Sequence, residues 1–169
     1  MEQHPTTNSF ALAEAFVKYT GQHLFVTGKA GTGKTTFLKH IVDTCQKKVV
    51  VAAPTGVAAI NAGGVTLHSL FQLPFGPFLP RDGQFQGHLQ HPHLEHVKIN
   101  KKKRQMLKDL ELLIIDEISM VRSDLLDALD LMLKFIRKTP LEPFGGVQLL
   151  MIGDLFQLPP VVTDQDKEL

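Results

Sequence analysis

The sequence predicts an α/β fold with a central, mostly parallel sheet flanked by helices and one small irregular insertion. Three observations carry this reading. Short, nearly unbroken apolar runs at 24–27, 48–53, 112–115 and 147–152 suit strands buried on both faces, as parallel strands are. Segments of helical period separate them, most clearly after residue 34 and from 123 to about 138. Between the first strand and the first of those helices stands GKAGTGKTT, Gly28 to Thr36, which fits the GxxxxGK[ST] pattern of a phosphate-binding loop.

Asn8 or Ser9 can cap a first helix running to about Tyr19, with Phe10, Ala13, Phe16 and Val17 on one face and Gly21 as its stop. The strand Leu24 to Thr27 then delivers the chain to the loop. Gly28, Gly31 and Gly33 allow a turn tight enough for successive N–H groups to face inward, and the positive end of the next helix adds to that concavity. Lys34 can reach terminal phosphates and the Thr35 hydroxyl can ligate Mg²⁺. Ala30, Thr32 and Thr36 complete the cradle. The helix that follows directs Phe37, Leu38, Ile41 and Val42 inward and carries Cys45, read as a small buried residue.

Lys48 to Ala53 is the next buried strand, closed by Pro54. Thr55 and Gly56 fall where that strand ends and a short helix starts, so they project from the carboxyl edge of the sheet, where open α/β sheets bind ligands. Taken alone, Thr55 reads first as a helix cap and His68 as a structural histidine. Gly63 and Gly64 stop the short helix, and Thr66 caps a second one carrying His68.

Residues 73–105 mix Pro, Gly, aromatics and His without period, and an irregular stretch of that length marks an insertion rather than an ordinary connection. The histidines at 88, 91, 93 and 96 lack the cysteines or HExxH spacing of a metal centre. The run Lys101 to Arg104 reads either as a solvated face or as a DNA-contacting patch.

Leu112 to Ile115 is a buried strand ending in Asp116 and Glu117. Paired with the phosphate loop, these acids suit nucleotide hydrolysis: Asp116 for the Mg²⁺ hydration shell, Glu117 to orient and deprotonate the attacking water. Ser123 caps a helix whose apolar face is Leu125, Leu126, Leu129, Met132, Leu133 and Ile136. Val147 to Ile152 forms the last strand and leads into GDLFQLPPV, placing Asp154 and Gln157 at the same edge as Thr55 and Asp116.

The totals are those of an ordinary globular domain, with 169 residues, 43% hydrophobic, 21% charged and a formal net charge of +1. Such a length supports a core without staples. With Cys45 the only cysteine, no intramolecular disulfide can form. No apolar run approaches the ~18–20 residues of a membrane span, so the expectation is a monomer without membrane contact, in the cytoplasm and nucleoid-associated in a bacterium.

Together, GKAGTGKTT, APTGVAAINAGGVTLHSLF, LLIIDEISM and GDLFQLPPV resemble the Pif-type helicases, superfamily-one enzymes related to the RecD branch. The match spans roughly 24 to 161 in the family's motif order. It implies a RecA-like P-loop lobe, formed by 1–72 and 106–169, of an ATP-driven 5′-to-3′ DNA helicase, with 73–105 as its wedge-like insertion. By position, Lys34 contacts the terminal phosphates, Thr35 and Asp116 bind Mg²⁺, Glu117 is the catalytic base and Gln157 senses the γ-phosphate. Thr55, Gly56 and His68 match the single-strand DNA track, and Phe75 and Phe78 gain a strand-separating or DNA-guiding role. The implied ligands are ATP and Mg²⁺, the implied partners single-stranded DNA and duplex or fork junctions.

Two departures qualify the match. Ala11, with Phe10 beside it, stands near the position of the family's adenine-recognising glutamine. The segments of the second motor lobe, the natural partner of this one, would follow Leu169, so a lone first lobe is expected to bind nucleotide weakly and not to unwind. The rival classes are a stand-alone P-loop phosphotransferase, for which no Arg-rich lid is evident, and a non-catalytic nucleotide- or DNA-binding module.

Overall fold

In a computed structural model, residues 8–74, 76, 78 and 99–160 are described. Helix α1, Ser9–Tyr19, opens on Asn8, whose side chain accepts from the N–H groups of Phe10 and Ala11. It ends at Tyr19, where the sequence reading places its end. Thr20 is the C-cap and its hydroxyl donates to Phe16 O at 2.7 Å, so Thr20 takes the part expected of Gly21.

Strand β1, Leu24–Thr27, leads through the loop into α2, Lys34–Thr44. Phe37, Leu38 and Ile41 are buried, whereas Val42 is exposed. Val42 falls off the inward stripe because that stripe is satisfied by the i, i+1, i+4 set. Cys45 lies just past the helix, half-buried and extended, rather than within it. After β2, Val49–Ala53, come α3, Gly56–Ala62, the two-residue β3, Val65–Thr66, and α4, Leu67–Phe71. The caps are those expected: Thr55 Oγ1 accepts from Ala58 N and Thr66 Oγ1 from Ser69 N, both at 3.2 Å.

Helix α5, Lys101–Asp109, is capped by Asn100, so regular structure resumes four residues before the expected end of the insertion. Strand β4, Leu112–Ile115, helix α6, Ser123–Arg137, and strand β5, Gln148–Gly153, complete the elements. The cap position of α6 is Arg122, with Ser123 already helical.

All five strands are parallel, in the order β1-β5-β4-β2-β3. The path moves outward from β1 to β2 to β3 and then returns through β4 to β5. Right-handed crossovers running in opposite directions put their helices on opposite faces. One face of the sheet, with Leu112, Ile114, Leu150 and Ile152, packs against Val17 of α1 and Phe37, Leu38 and Ile41 of α2. The other, with Leu113, Ile115 and Leu149, packs against Leu67, Leu70 and Phe71 of α4, Leu107 of α5 and the apolar stripe of α6. Alternation along β4 explains the division, since its successive side chains point to opposite layers.

Two half-buried cations tie helix ends to the sheet's amino edge. Lys47 Nζ donates to Val17 O (2.6 Å), Thr20 O (2.7 Å) and the buried Gln148 Oε1 (2.6 Å). Arg137 donates to Gly145 O (2.6 Å), Leu110 O (2.9 Å) and Lys108 O. Each supplies donors to carbonyls that the end of a helix leaves without partners.

Near the start of α6, Asp124 accepts from Arg122 Nε (2.9 Å) and Nη2 (3.2 Å) and from Phe78 N (2.8 Å). Burial pushes its carboxyl upward, but Arg122 and the Phe78 N–H outweigh this and leave it below its ordinary value. A depressed carboxylate stabilises the fold fully above its unfolded-state value, about 3.9, and the contribution is lost as pH falls through the lower folded-state value. Asp124→Asn is therefore expected to cost about 1.5–3 kcal/mol at pH 7. In thermal or urea unfolding followed against pH, its deficit relative to the parent sequence should shrink below about pH 4.

Candidate nucleotide site

The strand register aligns four chain exits at one edge. Thr27 lies opposite Gly153, Ile115 opposite Met151, and Ala52 opposite Ile115. The residues that follow, Gly28, Asp116, Thr55 and Asp154, therefore leave the sheet together at its carboxyl edge. With β5 between β1 and β4, the Asp154 turn stands between the phosphate loop and the acid pair.

In the loop, Gly31 and Gly33 have φ of 78° and 91°, and a Cβ at either would meet nothing within 4 Å. These left-handed residues turn the backbone into an open concavity at the start of α2. Gly28 is needed for space instead. A Cβ there would come within 2.6 Å of Thr32 Oγ1, which donates to Lys29 O at 2.8 Å and closes the loop on itself. Lys34 Nζ donates to Gly28 O and to Lys29 O, the latter at 3.0 Å, so the ammonium is held across the mouth. Thr35 and Thr36 are exposed on the first turn of α2, and Ala30 is exposed on the loop.

Asp116 is anchored through its backbone N–H to Ala52 O (2.9 Å), and its Oδ1 accepts from Glu117 N (3.0 Å). Burial raises its pKa, offset in part by the Glu117 N–H and by the charge of Lys34. That electrostatic contact brings the loop lysine and the strand-terminal acid into one site. Burial, which Lys34 offsets only in part, leaves this carboxylate short of counter-charge, and a hydrated divalent cation would supply it.

Glu117 has φ 53° and ψ 45°, in the left-handed region, and opens a 3₁₀ turn over Ile118–Met120. For a residue with a Cβ this conformation costs of order 1–3 kcal/mol and is found mainly at functional sites. The sequence carried no sign of it. Nor did it mark Gly153, where a Cβ would meet Ile118 Cγ2 at 2.9 Å, Ile118 N at 3.1 Å and Ser119 N at 3.3 Å. The turn that aims Glu117 thus rests against a glycine at the end of β5. Gly153→Ala should displace that turn and lower the rate of nucleotide hydrolysis by up to about 10²-fold. Nucleotide affinity should change little, so steady-state kinetics should show a loss in kcat without a matching rise in KM.

Asp154 is buried, accepts from Phe156 N (3.1 Å) and from Gln157 Nε2 (3.2 Å), and so orders an otherwise exposed turn. Its neighbours Leu155 and Phe156 are 65% and 97% exposed, a large apolar area for a sheet edge. Thr55 spends its acceptor on the α3 cap but keeps a hydroxyl proton to donate. Gly56, Val57 and Ile60 are exposed beside it. His68 is half-buried and its pKa is lowered by burial, which favours the neutral imidazole.

Phe78 is 5% exposed and lies in the core with Leu73, a placement that favours packing over contact with a nucleic acid. Phe75 and the histidines at 88, 91, 93 and 96 lie outside the described residues. Among the described residues no cluster of three His, Cys, Asp or Glu could hold a metal by itself. No helix among them is long and apolar enough to cross a membrane.

A glycine-lined loop opening a helix, set against a strand-terminal acid pair on an all-parallel sheet, defines a P-loop domain of the RecA-like kind. The comparisons with known proteins place it more narrowly. The profile of the PIF1-like helicase family matches residues 2–169, and the chain belongs to that family. It is 43% identical over 147 residues to the ATP-dependent DNA helicase PIF1 of Candida albicans, covering 85% of this chain and 15% of that one. The human ATP-dependent DNA helicase PIF1 is 40% identical over 144 residues, covering 83% and 20%. The crystal structure of the Bacteroides Pif1 helicase in complex with ADP-AlF3 and single-stranded DNA superposes with a TM-score of 0.82 at 49% identity, covering 98% of this chain and 36% of that one. The chain thus spans a fifth or less of these curated relatives and about a third of the solved structure.

Proposed function

We propose that this chain is the ATP-binding motor lobe of an ATP-dependent 5′-to-3′ DNA helicase. The observation that carries it is the convergence of Lys34, Asp116 and the Asp154–Gln157 turn at one sheet edge, with Thr55 leaving from the same edge. Loop N–H groups and Lys34 bind the phosphates of ATP, and Thr35 and Asp116 hold Mg²⁺, which supplies charge to offset the phosphate oxygens. To do so Lys34 releases the loop carbonyls. Glu117 orients a water and accepts its proton, and Gln157, released from Asp154, contacts the terminal phosphate. Adenine is held without a side-chain amide at Ala11.

Thr55, Gly56 and His68 form the track for single-stranded DNA. A hydroxyl donor, an exposed backbone N–H and a neutral imidazole suit backbone contact without a fixed sequence preference. Among the described residues Arg122 is held on Asp124 and Arg137 on backbone carbonyls. In this reading an arginine for the transition state comes from a second lobe. Such a residue contributes about 10³–10⁵ in rate, so this lobe alone hydrolyses ATP slowly and does not translocate.

The test is ATP hydrolysis by the full-length protein with and without single-stranded DNA. Strong stimulation by the strand, with unwinding only of duplexes bearing a 5′ single-stranded tail, is the expected result. Transfer of phosphate to a small acceptor without DNA would establish the phosphotransferase alternative instead.

A further inference from the structure

We propose that the exposed face of α5 is a second nucleic-acid contact, built for the phosphate backbone of duplex DNA. Charge is distributed unevenly in this chain. Helix α5 holds Lys101, Lys102, Lys103, Arg104 and Lys108 against the single acid Asp109, so these nine residues carry +4 and the rest of the chain −3, given the total of +1.

The placement works against helix stability. Four cations occupy the first turn and no acid does, although the positive end of the helix dipole disfavours cations there. Nor does ion pairing account for them. Among the described residues, none of Lys101, Lys102, Arg104 and Lys108 is paired with a carboxylate, while Asp109 is engaged by Lys48 at 3.7 Å and by Gln105 at 2.9 Å. Lys101, Arg104 and Lys108 follow one another at i, i+3 and i+7 and so share a face, with Lys102 at its border. All four are exposed.

Arg104 sits with its guanidinium 5.8 Å from the centroid of the half-exposed Phe135 ring on α6. A ring that holds a guanidinium by its π face leaves the N–H edges free for phosphate oxygens. It also occupies that face of the ring, and stacking on open aromatic faces is how single strands are gripped. A convex helix face whose exposed groups are mainly cations fits duplex backbone, whose charge density is about one phosphate per 1.7 Å of axis.

The face is joined to the proposed strand track. Lys103 Nζ donates to Ser69 O (2.6 Å) and Asn100 N to Gln72 Oε1 (3.3 Å), holding α5 against α4, which carries His68. The inference rests on the helicase reading for its ligand class. A duplex arm on α5 would then enter beside the strand on α4.

The experiment is binding of a blunt hairpin duplex and of a single-stranded oligonucleotide to the protein and to its K101E/K102E/R104E variant, across a salt titration. The expected result is a duplex affinity reduced by about 10²-fold at low salt, with the logarithmic salt slope smaller by about 2.7 for three lost phosphate contacts. MgATP and single-strand affinities should be unchanged, which also shows that the variant is folded. Charge-neutral K101Q/K102Q/R104Q should lie between the two. Unchanged duplex affinity would overturn the proposal, and an equal loss for duplex and single strand would place α5 on the strand track instead. Duplex binding that depends on α5 in a protein that does not bind single strands would leave this inference standing and remove the track at Thr55, Gly56 and His68.

Discussion

Replacing Glu117 by Gln in the full-length protein is expected to lower DNA-stimulated ATP hydrolysis by about 10²–10⁴-fold, the usual contribution of a positioned general base. MgATP binding should survive. The substitution keeps the side chain's length and its left-handed backbone (φ 53°) and removes only the capacity to accept a proton. Asp116, the neighbouring acid, is tied to Glu117 N and lies within the field of Lys34; in the proposed site it serves the metal, so it is not expected to substitute. Single-turnover hydrolysis beside equilibrium nucleotide binding separates the two quantities. Parallel loss of binding and hydrolysis would show that Glu117 holds the site together rather than acting on water.

Phe71→Ala is expected to produce the largest loss of stability. Phe71 is fully buried at the end of α4 and packs in the cluster that joins Leu113 and Ile115 of the sheet to α6. Truncating a buried phenylalanine costs about 3–5 kcal/mol, out of a total of about 5–15 kcal/mol for a domain. At about 2–4 °C per kcal/mol for this size, the melting temperature should drop by about 6–20 °C. The change should also weaken single-strand binding, because α4 carries His68. Phe71→Leu, which refills most of the volume, should recover the larger part of both.

The sequence made legible those parts of the fold that a local pattern dictates. Leu112 to Ile115 read as a buried strand, Asn8 was one of two candidate caps for α1, Thr55 and Thr66 read as caps, and the Gly28–Thr36 loop read as a link between strand and helix. Where long-range contacts decide, the sequence is silent. The end of α1 at Tyr19 was readable, but not that Lys47 donates to Thr20 O and Gln148 to Phe16 O, a meeting of distant segments. The strand β3 is two residues long and owes its existence to its pairing with Ala52 and Ala53.

The candidate site divides in the same way. Its candidate side chains were visible as motifs, since each motif is a short run with a fixed spacing. The features that position them were not. The left-handed turn at Glu117 and the close approach of Gly153 to Ile118 depend on β4 and β5 being neighbours, which follows from topology. The basic run at 101–104 was ambiguous because its meaning depends on the lack of carboxylate partners among the described residues and on Phe135 beside Arg104, both tertiary facts.

The central claim is that the Gly28–Thr36 loop and Asp116 form one MgATP site. A titration of the protein with a fluorescent ATP analogue tests it most directly, comparing the parent sequence with Lys34→Ala and Asp116→Asn in Mg²⁺ and in EDTA. The account predicts saturable binding that Mg²⁺ strengthens. Lys34→Ala should weaken it by about 10–150-fold, as expected for lost charge-assisted hydrogen bonds of about 1.5–3 kcal/mol, and Asp116→Asn should abolish the Mg²⁺ effect. Binding that is indifferent to both substitutions and to Mg²⁺ would contradict it.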